Sequence, residues 1–137
     1  NKPKGRDESG PIAPIQWVED NIIYSLKYIP AEKIHLGIAN YGYNWTKPGN
    51  GRPIELIRAQ KLAQNKEISI LWDDKFKTPY FNYTDNQNRK HQVWFENSES
   101  LKYKLDLVQK YNLQGIAIWK LGNSDQKFWK TIKDKIR

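Results

Sequence analysis

The chain has 137 residues, 38% hydrophobic and 13% aromatic, with 23 Lys and Arg against 15 Asp and Glu for a formal net charge of +8. That length and apolar content suit one globular domain of ordinary size and exclude a disordered tail. The absence of cysteine excludes disulfides and thiol chemistry, the two isolated histidines, His35 and His91, cannot assemble a familiar zinc site without several carboxylates, and no metal or cofactor is expected; no apolar run approaches the roughly 20 residues that span a bilayer.

In chain order, no signal peptide is expected at the start, and Asn1-Lys2-Pro3-Lys4-Gly5 reads as the middle of a longer chain. Pro14 precedes an apolar periodicity at Ile15, Val18, Ile22, Tyr24, Leu26 and Ile29, which predicts a helix stopped by Pro30. A buried strand is expected over 34–41, and the turn signal Lys47-Pro48-Gly49-Asn50-Gly51 bounds the aromatic stretch that follows it. Residues 54–64 read as a short amphipathic helix. Short strands are then expected over 68–72, 80–83 and 92–95, the last two joined as a hairpin by the turn residues 84–88. Ser98 or Ser100 can cap a helix with the stripe Leu101, Leu105, Leu107, Val108 and Tyr111. Gly115 opens a last strand to Trp119, and a final helix follows Asn123-Ser124-Asp125. Its stripe is Phe128, Trp129, Ile132 and Ile136, so the lysines from 127 onward are its solvated face, and no nucleic-acid partner is expected despite the basic charge.

Without residues 46–98 the order is α-β-α-β-α, the rhythm of parallel α/β units with helices over the sheet. In such folds the chemistry lies at the carboxyl ends of the strands. Both strand ends here carry aromatics: Tyr41, Tyr43 and Trp45 on one, Trp119 on the other.

The segments GIANYGYNW (37–45), WDDKFKTPYFNYTD (72–85), VWFEN (93–97) and GIAIWKLG (115–122), in that order and spacing, resemble the last part of family 18 glycoside hydrolases. The resemblance is strongest to the bacterial spore-germination and cortex-lytic branch, whose enzymes cut the N-acetylglucosamine backbone of peptidoglycan. It implies an α/β fold that is the C-terminal part of a (β/α)8 TIM barrel carrying a small α+β insertion. Residues 1–45 would hold a barrel helix and strand seven, 46–98 the insertion, and 99–137 a helix, strand eight and the last helix. The family's catalytic signature, DxxDxDxE, is absent from these residues, as is its M-x-Y-D contact. The glutamate of that signature is the general acid, and the substrate's own N-acetyl oxygen is the nucleophile, so no catalytic residue is expected here.

The resemblance also assigns substrate-binding roles. Trp119 matches the tryptophan that floors the sugar site, where an indole face stacks on a pyranose; the rival reading is a core tryptophan at a strand end. Tyr41 matches a tyrosine facing the same site. Tyr43 stands where many chitinases carry arginine, and Asn44 where this branch usually has aspartate. In the insertion, Trp72, Tyr80, Phe81, Tyr83, Trp94 and Phe95 read as a small core, with Asp73 and Asp74 in a turn, whereas Glu96 is expected as a cleft-facing polar contact. Trp17 and Trp129 are expected as packing, and His35 and His91 as structural or surface residues. The function implied is a C-terminal fragment of a hydrolase of N-acetylglucosamine-containing polysaccharide, peptidoglycan or chitin, inactive by itself. The alternative is a noncatalytic glycan-binding or scaffold module. An extracellular, cell-wall or spore location goes with the resemblance, and barrel edges left without a neighbour would favour self-association.

Overall fold

A computed structural model describes residues 9–46, 51–122 and 124–136. The chain begins with helix α1 (Ile15–Leu26), entered through Pro14, whose buried residues Val18 and Ile22 lie one turn apart. A short 3-10 turn at Ala31–Lys33 leads to strand β1 (His35–Ala39). Strand β2 (Tyr41–Thr46) follows after a single residue, and then come β3 (Gly51–Glu55), helix α2 (Leu56–Asn65), β4 (Leu71–Asp73), β5 (Thr78–Thr84) and β6 (Lys90–Phe95). Helix α3 (Ser98–Lys110), strand β7 (Gly115–Trp119) and helix α4 (Gln126–Lys135) complete the described chain.

The strands form two sheets. β1 and β7 pair in parallel, from His35 opposite Gly115 to Ala39 opposite Trp119. The other five make an antiparallel sheet in the order β3-β2-β6-β5-β4. The strand expected over 34–41 is thus broken at Asn40, and Tyr41 to Thr46 leave the parallel sheet for the antiparallel one. Pairing of β2 with both β3 and β6 satisfies its backbone on either edge, which a simple continuation of β1 would not. Gly42 is what allows the approach: a Cβ there would lie 2.0 Å from the carbonyl oxygen of Trp94 on β6.

The structure departs from the periodicity in several places. β3 occupies Gly51–Glu55, where the expected helix already included Ile54; Lys47 to Asn50 of the expected turn lie outside the described residues. The cap of α3 is Asn97, not Ser98 or Ser100. Its side chain accepts the N–H groups of Glu99 and Ser100, both at 3.0 Å, while the Ser100 hydroxyl accepts the Asn97 N–H at 2.9 Å. This reciprocal pair satisfies donors the first turn would otherwise leave orphaned. On α4 the fully buried aromatic is Phe128; Trp129, expected as packing, keeps 37% of its surface exposed beside it.

One apolar core joins the two sheets. Ile38 of β1, Phe81 of β5, Val93 and Phe95 of β6, Leu101 and Leu105 of α3 and Phe128 of α4 pack together with the small inner face of α2, Ala59 and Ala63. A smaller core holds α1 against the far end of α3 through Val18, Ile22, Leu107 and Leu113. The ends of β1 and β7 are thereby held rigidly next to the start of β2. Among the described residues no helix is long and apolar enough to cross a membrane.

Candidate functional site

The parallel register sets Ala39 and Trp119 side by side at the carboxyl ends of β1 and β7, and the chain then turns at Asn40. Asn40 is buried, and every polar atom of its side chain is used. Its Nδ2 donates to the carbonyl oxygens of Lys120 (2.5 Å) and Gly122 (3.2 Å) and to the Ser124 hydroxyl (2.7 Å), while its Oδ1 accepts the Lys120 N–H at 2.8 Å. Its backbone N–H donates to the Trp119 carbonyl, and its own carbonyl accepts the Leu56 N–H that opens α2. One asparagine therefore links β1, β7 and α2. The Trp119–Lys120 peptide is cis.

With the backbone on both sides of it held, the Trp119 indole stands 71% exposed. Alternation along β2 puts Tyr41 and Tyr43 on one face, their rings edge to face with centroids 6.3 Å apart, and Trp45 continues the row at 5.5 Å from Tyr43. Tyr41, Tyr43 and Trp119 open onto a common cleft of about 370 Å³, shared with Asn40, Pro53, Ile54, Glu55, Arg58 and Lys120. That volume is in the range of small-molecule sites. Burial, then the neighbouring Tyr43 and Glu96, push the Tyr41 phenol above its ordinary pKa, so it stays protonated as a hydrogen-bond donor at neutral pH.

Glu96 lies elsewhere. It is 2% exposed and its carboxylate meets Lys104 of α3 at 2.5 Å, the lysine being buried as well. Its backbone N–H donates to the Tyr41 carbonyl at 3.2 Å, so it sits beneath the tyrosine and is not among the residues lining the cleft. Asn44 faces away from Tyr41 and Tyr43: its amide donates to the Tyr83 hydroxyl at 2.8 Å and its oxygen lies 2.9 Å from His91 Nδ1. His91 stacks on Tyr83 and holds Asp85 through Nε2 at 2.8 Å, a structural role within the hairpin. No group of residues that could hold a metal ion occurs among the described residues.

The aromatics of the five-stranded sheet divide between core and surface. Phe81, Trp94 and Phe95 are buried and Tyr80 stacks on Trp94, whereas Trp72 is exposed beside Tyr103. Asp73 accepts the Phe76 N–H in a turn, as expected of it. Among the cleft residues that the sequence did not single out are Asn40 and Arg58. A lone Asn inside an apolar strand was the only signal for Asn40, and Arg58 sits one position off the buried stripe of α2, where it reads as surface.

Residues 2–124 match the family model of glycosyl hydrolases family 18. The chain belongs to that family. Among curated relatives, the cortical fragment-lytic enzyme of Bacillus subtilis is 40% identical over 129 residues, which are 90% of this chain and 30% of the relative. Among solved structures, the spore cortex-lytic enzyme SleL of Bacillus megaterium superposes with a TM-score of 0.88 at 36% identity, over 96% of this chain and 32% of that one. A chitinase from Chromobacterium violaceum gives 0.89 at 34% identity, over 96% of this chain and 41% of that one. The matches agree with the spore cortex-lytic branch of family 18. The chain spans about a third of the length of the curated relative.

Proposed function

We propose that this chain forms one wall of the sugar cleft of a family 18 glycoside hydrolase acting on N-acetylglucosamine-containing glycan, peptidoglycan or chitin. The observation that carries the reading is the exposed Trp119 indole, which shares a cleft with Tyr41 and Tyr43 at the carboxyl end of a parallel strand pair. An indole face covers the CH face of a pyranose, and the Tyr41 and Tyr43 hydroxyls supply directional hydrogen bonds beside it. Relatives named as cortical fragment-lytic enzyme, spore cortex-lytic enzyme and chitinase support the substrate class. In this reading β1 and β7 are strands seven and eight of a (β/α)8 barrel, and the five-stranded sheet with α2 is the family's insertion.

Catalysis in this scheme needs a general acid that these residues do not carry, since DxxDxDxE does not occur in the sequence. The wall would position the sugar, and the acid would come from barrel strands beyond this segment. The absence of the signature also favours a second reading, a noncatalytic glycan-binding module using the same rings.

Titration with chitooligosaccharides tests the site. Trp119→Ala should abolish or strongly weaken binding while the fold stays formed, whereas Phe128→Ala should destabilise the fold by about 3–5 kcal/mol as a large core truncation. Unchanged binding in Trp119→Ala would remove the sugar-cleft reading. Turnover of a fluorogenic N-acetylglucosamine substrate by the pure chain would overturn the claim that it holds no general acid.

A further inference from the structure

Alternation along β2 puts Asn44 and Thr46 on the face opposite Tyr41 and Tyr43. The sheet register sets Arg52 of β3 beside Asn44 and His91 of β6 beside Thr46, on that same face. Together with Arg89 from the β5–β6 turn, these residues line a separate cavity of about 200 Å³. Both ring nitrogens of His91 are already engaged there, by Asn44 and by Asp85. Asp85 also fixes Arg89: its carboxylate accepts the side-chain Nε–H at 2.8 Å and the backbone N–H at 3.0 Å. The guanidinium is thereby oriented, and its terminal N–H groups have no partner among the described residues. Arg52 has no ion pair among the described residues. No carboxylate occurs among the described residues that line the cavity, so two guanidinium groups share one small space with only the Asp85 charge behind them.

We propose that this cavity binds a single phosphate group, free or as a monoester, between Arg52 and Arg89. The inference does not rest on the sugar-cleft reading, because it uses the opposite face of β2. Two cations that share a cavity repel each other, and an anion of matching charge relieves the repulsion. A phosphate carries about 1.5 to 2 negative charges at neutral pH. Its tetrahedral oxygens can accept from two guanidinium forks and from the Thr46 hydroxyl at once, whereas a carboxylate offers one charge and two oxygens in a single plane. The volume lies below the usual range of small-molecule sites, which suits an ion of a few heavy atoms and not a sugar ring. Because Asp85 already holds Arg89 in place, less side-chain freedom is lost on binding.

Two-dimensional NMR of the isotope-labelled chain, reading the arginine Nε–H resonances at constant ionic strength, decides it. Inorganic phosphate should shift the Arg52 and Arg89 signals saturably, with half-saturation on the order of 1 mM, since exposed charge pairs contribute modestly. Acetate should bind at least about fivefold more weakly. Arg52→Gln should weaken phosphate binding on the order of fivefold. Asn44→Asp should weaken it on the order of tenfold, because the new carboxylate keeps the contacts to Tyr83 and His91 while placing a negative charge in the wall. Lys133→Gln, on the exposed surface of α4, removes the same charge from another element and should leave half-saturation unchanged. Glycerol phosphate separates the two sources: binding as tight as that of inorganic phosphate assigns the site to a monoester, and binding of the inorganic ion alone assigns it to free phosphate. Absence of saturation by either probe, acetate bound as tightly as phosphate, or equal losses in Lys133→Gln and Arg52→Gln would overturn the inference.

Discussion

Asn40 and Lys120, 80 residues apart in sequence, are joined by two hydrogen bonds in opposite directions: the Asn40 amide donates to the Lys120 carbonyl and its oxygen accepts the Lys120 N–H. The pair closes the carboxyl ends of the two parallel strands at the edge of the cleft.

Removing that side chain takes away the partners of the Lys120 N–H and of the Lys120 and Gly122 carbonyls, which are part-buried. Asn40→Ala should therefore cost about 1–3 kcal/mol of stability in urea unfolding. Glycan affinity should fall with it, because the mounts of Trp119 and of α2 both loosen. Stability within about 0.5 kcal/mol of the wild type would show that the network is dispensable.

The Glu96–Lys104 pair is buried on both sides, so its two halves must be changed together. Glu96→Leu or Lys104→Met alone leaves an uncompensated group, with an expected loss of about 3–5 kcal/mol. The double variant Glu96→Leu with Lys104→Met should be less damaging than either single one. Strict additivity in a double-mutant cycle would contradict a coupled pair.

Asp85 organises the β5–β6 hairpin. The hydrogen bond from His91, then bonds from the backbone and side chain of Arg89 and the backbone of Gln87, hold its carboxyl well below the usual carboxylate range. A depressed native pKa means stability that is complete above the unfolded value of about 3.9 and is lost as pH falls below it. Asp85→Asn should lower the melting midpoint at neutral pH and flatten the acid limb of the stability profile. An acid limb of unchanged slope in the variant would assign acid sensitivity to other groups.

Self-association remains a proposal of its own. Among the described residues β1 and β7 pair only with each other, leaving an open edge on each, while Ile23, Tyr24, Tyr28 and Leu121 expose apolar surface. Open strand edges are templates for pairing. Sedimentation velocity should show association rising with concentration and hydrophobic-dye binding at low concentration; a dye-silent monomer at every concentration would argue against it.

The helices α1, α3 and α4 and the strands β1 and β7 were legible from the sequence, because amphipathic periodicity and short apolar runs are local properties of the chain. Tyr41, Tyr43 and Trp119 were named from the resemblance, against a rival reading of Trp119 as core, and they line one cleft.

What the tertiary structure decided is where those residues are held. The change of sheet at Asn40 carries no Pro or Gly signal at that residue, because it is set by pairing with β3 and β6, which come later in the chain. Glu96 resembles a cleft carboxylate until α3 brings Lys104 against it, and Arg58 reads as surface until the Leu56 N–H meets the Asn40 carbonyl. In each case the partner is distant in sequence or lies on another element. A side chain's burial and charge environment come from such non-local contacts, so local pattern names the group and only packing places it.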